Sequence, residues 1–340
     1  MKGGLRMRQS WRLWLVASVM FLGAGARAQA ANYSALYAFG DSLSDVGNAY
    51  LATNGAEPVS PPYFDGQFSN GPVWVQDLAS ALGLPALRPS LAGGTDFAVG
   101  GAETGATPVH PANASDLPAQ LADFNATIPS PSPSALYTLW IGSNDLFSIL
   151  DTPNITPAAA EADAHDAVQN VVSFVYGLAA DGAKNLLLVT VPDLGVAPAI
   201  TKLGTAAETA ATDLSAYFDQ ALVAAVSGEA AQAGMHLSLV NTFSLLDAAV
   251  ADPSAFGFTN VTSPCWTGSY TSASSGSLCS QTTAGQNQYL FWDQVHPTEA
   301  AALIIADQAL TQVPEPSAIA LLAGSLGALA FLRRPKRRVG

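Results

Sequence analysis

Residues 34–48 read SALYAFGDSLSDVGN. The first six, Ser34–Phe39, form a short apolar run without strict alternation, the pattern of a strand buried on both faces of a parallel sheet. Gly40-Asp41 ends the run in a turn, and a helix is expected to start just after it. That places Ser42 at the carboxyl edge of a sheet, near a helix N-terminus. A hydroxyl there can act as a nucleophile, with backbone N–H groups facing the substrate. Taken alone, Asp-Ser in a turn is more often a helix cap than a nucleophile.

The same strand-then-turn pattern recurs outward along the chain. Ala135–Ile141 (ALYTLWI) ends at Gly142, Asn185–Val191 (NLLLVTV) ends at Pro192-Asp193, and His236–Val240 (HLSLV) ends at Asn241. Between these runs lie helical stripes. Val168, Val171, Val172, Val175 and Leu178 keep one spacing, and Leu214, Phe218, Ala221, Leu222 and Ala225 keep another. A last helix is expected over about Pro297–Leu310, with Pro297 in its first turn. Helices between strands imply βαβ crossovers, hence an α/β fold: a three-layer α/β/α sandwich around a central parallel sheet. Ligands of such sheets bind at the carboxyl ends of the strands, so the turns are where chemistry is expected. Residues 103–133 read as a long loop with a short helix. No linker or repeat divides residues 31–312, which are expected to form one domain.

Three more segments carry candidate chemistry. DFAVGGAETG, Asp96–Gly105, has adjacent glycines whose backbone N–H groups can approach a ligand closely. It lacks the full spacing of a dinucleotide fingerprint. IGSNDL, Ile141–Leu146, follows a strand directly, and Asn144 offers an amide donor. YLFWDQVHPTEA, Tyr289–Ala300, sets Asp293 three residues before His296. At that spacing the carboxylate can orient the imidazole through one ring nitrogen, leaving the other to take a serine proton.

Together, in this order, the four segments resemble the GDSL/SGNH hydrolase family, in its FGDSLSDxGN branch of secreted esterases and phospholipase-like enzymes. The resemblance spans most of residues 34–310, including VPDLGVAP at Val191–Pro198. It implies a flavodoxin-like sheet and a serine carboxylic-ester hydrolase with no metal or organic cofactor. Position by position it implies Ser42 as nucleophile, His296 as general base and then acid, and Asp293 as the group orienting His296. The implied oxyanion hole combines the Ser42 N–H, the Gly101 N–H and the Asn144 amide, with Gly100 an alternative to Gly101. Asp96 departs from the pattern, since many relatives have Asn before Phe-Ala. The substrate the resemblance implies is a small-molecule or lipid ester. Two rival readings are an exopolysaccharide O-deacetylase using the same site and a non-catalytic surface carbohydrate-binding protein. The chain has no GxSxG elbow and no HExxH helix.

Charge and the two ends speak to location. Of the 340 residues 49% are hydrophobic and 11% charged, enough apolar surface for a large core. Residues 31–312 hold three basic residues against 25 acidic ones, a net of −22. Such a body repels phosphate backbones, which argues against nucleic acid as a partner. The basic residues cluster at the ends. Residues 1–30 read as a signal peptide: a basic start, an apolar run Leu13–Ala26, and small residues fitting cleavage before Ala31. At 313–340, VPEPS, an uncharged run Ala318–Leu332 and RRPKRR follow one another. This trio resembles the PEP-CTERM sorting signal of Gram-negative, exopolysaccharide-forming bacteria. The resemblance implies transient membrane association, cleavage by an exosortase-type enzyme, and export to the periplasm, outer surface or medium. Outside the cytoplasm, Cys265 and Cys279 are expected to pair across their Gly/Ser/Thr-rich loop.

The remaining histidines and tryptophans have plainer readings. His110 is expected to stabilise its loop, His165 to lie on a polar helix face and His236 to open a strand. Trp74, Trp140 and Trp292 read as core or pocket wall, with Trp292 a candidate liner of an acyl site. Asp45 and Asn48 read as turn and helix-start residues.

Overall fold

The computed structural model describes residues 33–313. The expected signal peptide and the apolar and basic parts of the C-terminal segment lie outside them. In chain order the elements are β1 (Leu36–Gly40), α1 (Asn48–Ala52), α2 (Trp74–Ala81), α3 (Leu117–Thr127), β2 (Leu136–Trp140) and α4 (Ser143–Leu150). Then come α5 (Pro157–Ala180), β3 (Asn185–Val189), α6 (Pro198–Thr201), α7 (Thr205–Ala233), β4 (His236–Val240) and α8 (Thr242–Ala251). The chain ends with β5 (Asn260–Pro264), α9 (Thr283–Gln286), β6 (Tyr289–Phe291) and α10 (Glu299–Gln312).

The central sheet is parallel in the order β1-β2-β3-β4. Residues 95–99 run along the free edge of β1, where Phe97 N–H and Val99 N–H donate to Ala38 and Gly40 carbonyls. The chain therefore leaves β1 to one side and returns to its other side at β2, and the crevice above β1 is the switch point where ligands bind in such sheets. The register pairs Gly40 with Trp140 and Trp140 with Val189, so the carboxyl ends stand in one row.

Alternation along the strands feeds two cores. Tyr37, Phe39, Tyr137, Leu139, Leu186 and Leu188 face α3, α4, α5 and α7. Leu36, Ala38, Leu136, Trp140, Leu187 and Val189 face α2 and α10. Both faces are covered, which is why β1 and β2 are buried at every position and, Thr138 excepted, carry no polar side chain. Of the helical stripes read from the sequence, Val168, Val171, Val175 and Leu178 of α5 and Leu214, Phe218 and Leu222 of α7 are buried, while Val172, Ala221 and Ala225 are only half-buried at their margins.

Two local expectations change. No helix begins beside Ser42: residues 41–45 make a single turn closed by Asp45 N–H on the Asp41 carbonyl, and α1 starts only at Asn48. The reason is Asp45, whose carboxylate accepts from Gly47, Asn48 and Ala49 N–H and so caps the later position. Pro297 also precedes α10 rather than entering it. Thr298 is the cap, and its N–H and hydroxyl donate to the Leu290 and Tyr289 carbonyls of β6.

Candidate active site

Gly40 makes the exit from β1 possible. Its φ is +143°, and a Cβ there would lie 2.1 Å from the Trp140 carbonyl oxygen. Buried Gln120 of α3 braces the turn, accepting from Gly40 N–H at 3.0 Å and donating to its carbonyl at 2.7 Å. The chain then turns Ser42 over the sheet. Its Oγ lies 2.8 Å from His296 Nε2, across 254 positions of sequence. On the far side of the ring, His296 Nδ1 is 2.8 Å and 2.9 Å from the two oxygens of Asp293.

Asp293 is more heavily held than the sequence indicated. Its Oδ1 accepts from Val295 and His296 N–H, and its Oδ2 accepts from the Tyr63 hydroxyl at 2.6 Å. Burial alone raises a carboxyl, but His296, Tyr63 and the Val295 N–H outweigh it and hold Asp293 below the ordinary carboxylate range. Burial and the neighbouring Asp293 drive the Tyr63 phenol far up, so it remains a donor. Phe68 covers the imidazole, ring centroids 5.1 Å apart. Asp41, next to Ser42, accepts from Leu43 N–H, and burial pushes its carboxyl up to about 7 despite that bond and nearby His296.

Ser42, Gly101, Asn144 and His296 line one cleft of about 320 Å³. The structure distinguishes the adjacent glycines. Gly100 N–H donates to Asp45 Oδ2 at 2.7 Å, whereas Gly101 N–H has no acceptor among the described residues. Gly101 has φ +78°, and nothing lies within 4 Å of where its Cβ would be, so its backbone is open to the cleft. Asn144 spends one amide hydrogen on the Ala102 carbonyl at 2.8 Å. Its neighbour Asp145 takes the Thr104 N–H and hydroxyl, tying the glycine segment to α4. Asp96 also has a fitted role. Both oxygens accept, from Val46 and Ala98 N–H, and an asparagine offers only one acceptor oxygen.

Sequence reasoning brought Ser42, Asp293, His296, Gly101 and Asn144 to this site and missed Tyr63, Asp145 and Gln120. Nothing local marks Tyr63, which is 230 positions from its partner. Trp292 belongs to the core rather than to an acyl site: it is 1% exposed and packs with Tyr63, Cys265 and Trp266. His110 ties its loop together as expected, 3.2 Å from Glu103. Cys265 and Cys279 form a disulfide, which suits an exported protein.

Residues 36–309 match the family of GDSL-like lipases and acylhydrolases. The chain belongs to that family. With the linked Ser42, His296 and Asp293, it is a serine ester hydrolase of the GDSL type. Its relatives include the phosphatidylcholine-sterol acyltransferase of Aeromonas hydrophila, 28% identical over 82% of this chain and 90% of that protein. The thermolabile hemolysin of Vibrio parahaemolyticus is 28% identical over 80% of this chain but only 62% of its own length. An extracellular lipase from Streptomyces rimosus, of solved structure, is 16% identical with a TM-score of 0.41, over 81% of this chain and 98% of that one.

Proposed function

We propose that this GDSL hydrolase cleaves carboxylic esters of acyl lipids or small molecules through an acyl-enzyme on Ser42. The observation that carries the reading is the 2.8 Å link between Ser42 Oγ and His296 Nε2 inside a cleft with open N–H donors. Ser42 attacks the ester carbonyl as its proton passes to Nε2. Asp293, charged and unable to leave its donors, stabilises the imidazolium through Nδ1. The oxyanion forms against the Ser42 N–H, the Gly101 N–H and the second Asn144 amide hydrogen. One such donor is typically worth ~3–4 kcal/mol in the transition state. His296 returns the proton to the leaving alcohol, and then activates water against the acyl-enzyme.

The enzyme acts after export from a Gram-negative cell, its C-terminal segment being removed near Pro314-Glu315-Pro316 by an exosortase-type protease. Mass spectrometry of the exported protein reads that cleavage directly. For the chemistry, the test is a nitrophenyl-ester series, with phospholipids alongside, on the full-length protein and on Ser42→Ala. The variant should lose turnover by at least ~10³-fold with its circular dichroism intact. Wild-type rates in the variant would overturn the assignment. Acetate release from acetylated polysaccharide without turnover of longer esters would favour the deacetylase instead.

A further inference from the structure

The leaving alcohol of an ester on Ser42 has a defined direction. His296 Nε2 returns the proton to the departing oxygen, so the alcohol leaves along the wall that carries His296. That wall is continuous. Phe68 covers the imidazole, ring centroids 5.1 Å apart, and Tyr270 packs edge-on against Phe68 at 5.9 Å. The Tyr270 carbonyl accepts the Val59 N–H at 2.7 Å, which brings the chain just after Glu57 against the same ring. Phe68, Tyr270 and Glu57 all line the cleft that holds Ser42 and His296.

The cleft carries charge of one sign. Its acidic residues are Asp41 and Glu57, and no lysine or arginine lines it. The Thr53 hydroxyl accepts the Glu57 N–H at 2.9 Å and donates to the Glu57 carbonyl at 3.3 Å, which holds that residue in place. The half-buried Glu57 carboxylate has no hydrogen-bond or ion-pair partner among the described residues. In the same cleft, Asp41 Oδ2 is buried without a hydrogen-bond partner. Residues 31–312 have a net charge of −22, and a cleft walled by carboxyls focuses that negative potential. The aromatic rings add to it, since their faces attract cations. A free carboxylate beside Phe68 and Tyr270 therefore forms a receptor for a cation, and an ammonium group supplies the partner that Glu57 lacks. At about 320 Å³ the cleft has the size of a small-ligand site.

We infer that Glu57, with Phe68 and Tyr270, forms a subsite for a cationic alcohol, so that the enzyme selects esters of quaternary ammonium alcohols over their uncharged isosteres. This rests on the ester-hydrolase reading proposed above. The test uses full-length protein with butyrylcholine, its carbon isostere 3,3-dimethylbutyl butyrate, and nitrophenyl butyrate as the reference ester. Wild type should show kcat/KM about tenfold or more higher for butyrylcholine than for the isostere. Glu57→Gln should cut that ratio about tenfold, and Glu57→Asp should keep part of it. Asp166→Asn removes an equal charge from the exposed face of α5, outside the cleft, and should leave the ratio as it is. A wild-type ratio near unity, or a ratio unchanged in Glu57→Gln, overturns the subsite. An equal fall in Glu57→Gln and Asp166→Asn also overturns it, and assigns the preference to the field of the whole body. If circular dichroism shows Glu57→Gln misfolded, Tyr270→Leu reads the same ratio, which should fall by about threefold or more, and an unchanged ratio there overturns the subsite. Nitrophenyl butyrate hydrolysed by wild type with both other esters untouched overturns the subsite while leaving the nucleophile intact. If nitrophenyl butyrate itself is untouched, the ester-hydrolase reading falls, and the subsite with it.

Discussion

At the residue scale, the reactive trio depends on a residue it does not contain. Tyr63 donates to the Asp293 oxygen that also faces His296 Nδ1. A hydrogen bond to a buried charge is worth roughly 1.5–3 kcal/mol, and Tyr63→Phe removes this one without changing the ring that packs on Trp292. We predict a kcat about ten- to a hundredfold lower with little change in KM, read by steady-state kinetics on a short ester. A fall in KM-limited binding alone would instead mean that Tyr63 shapes only the wall. Ser42, Asp293 and His296 could be read in the sequence because four segments in one order resemble a single family; a strand-turn serine, or a carboxylate three residues before a histidine, is a weak sign by itself. Tyr63 could not, because its role exists only where two distant loops meet.

At the scale of elements, the loop closed by Cys265–Cys279 joins the segment carrying Asp293 and His296 to the cleft. Cys265 and Trp266 N–H donate to the Phe291 and Trp292 carbonyls, just ahead of Asp293. From the same loop, Tyr270 lines the cleft against Phe68 and accepts the Val59 N–H on its carbonyl. Removing the cross-link frees a loop of 14 residues' separation, a loss of about 3 kcal/mol in the chain-entropy model. Replacing both cysteines by serine should lower the melting temperature, measured by calorimetry, and raise KM as Tyr270 loosens. The pairing itself was legible, since the two cysteines had no other partner. That the loop would brace the segment carrying Asp293 and His296 was not, because it depends on the short β5-β6 sheet.

Across the whole molecule, burial leaves carboxyls neutral that solvent would ionise. It pushes Asp41 and Asp219 up to about 7 and Asp145 up to about 8. Each retains a proton in the folded state that the unfolded chain releases near pH 4, so stability falls as pH rises from there through 7–8. Asp293 works in the other direction, contributing stability above the ordinary carboxylate range that is lost as pH falls below it. The expected melting temperature is therefore highest in mild acid and drops by several degrees toward pH 9. The self-repulsion of the acidic body adds to this. Asp219→Asn keeps an acceptor for the Val191 N–H and lies outside the cleft, so it should flatten the decline without changing ester turnover. A melting curve indifferent to pH would show these carboxyls ionising freely.

The sequence by itself determined the parallel sheet and the helices over its faces, and the resemblance carried by its four ordered segments singled out Ser42, His296 and Asp293 as the candidate reacting groups. The sheet and helices are written in short-range periodicity, which physics reads residue by residue; the candidate groups are marked only by the order of the motifs. Only the tertiary structure decided that Gly101 rather than Gly100 has an N–H without an acceptor among the described residues, and that Tyr63 anchors Asp293. Each of these depends on which groups already have partners, and partners brought together from positions far apart in sequence leave no local trace.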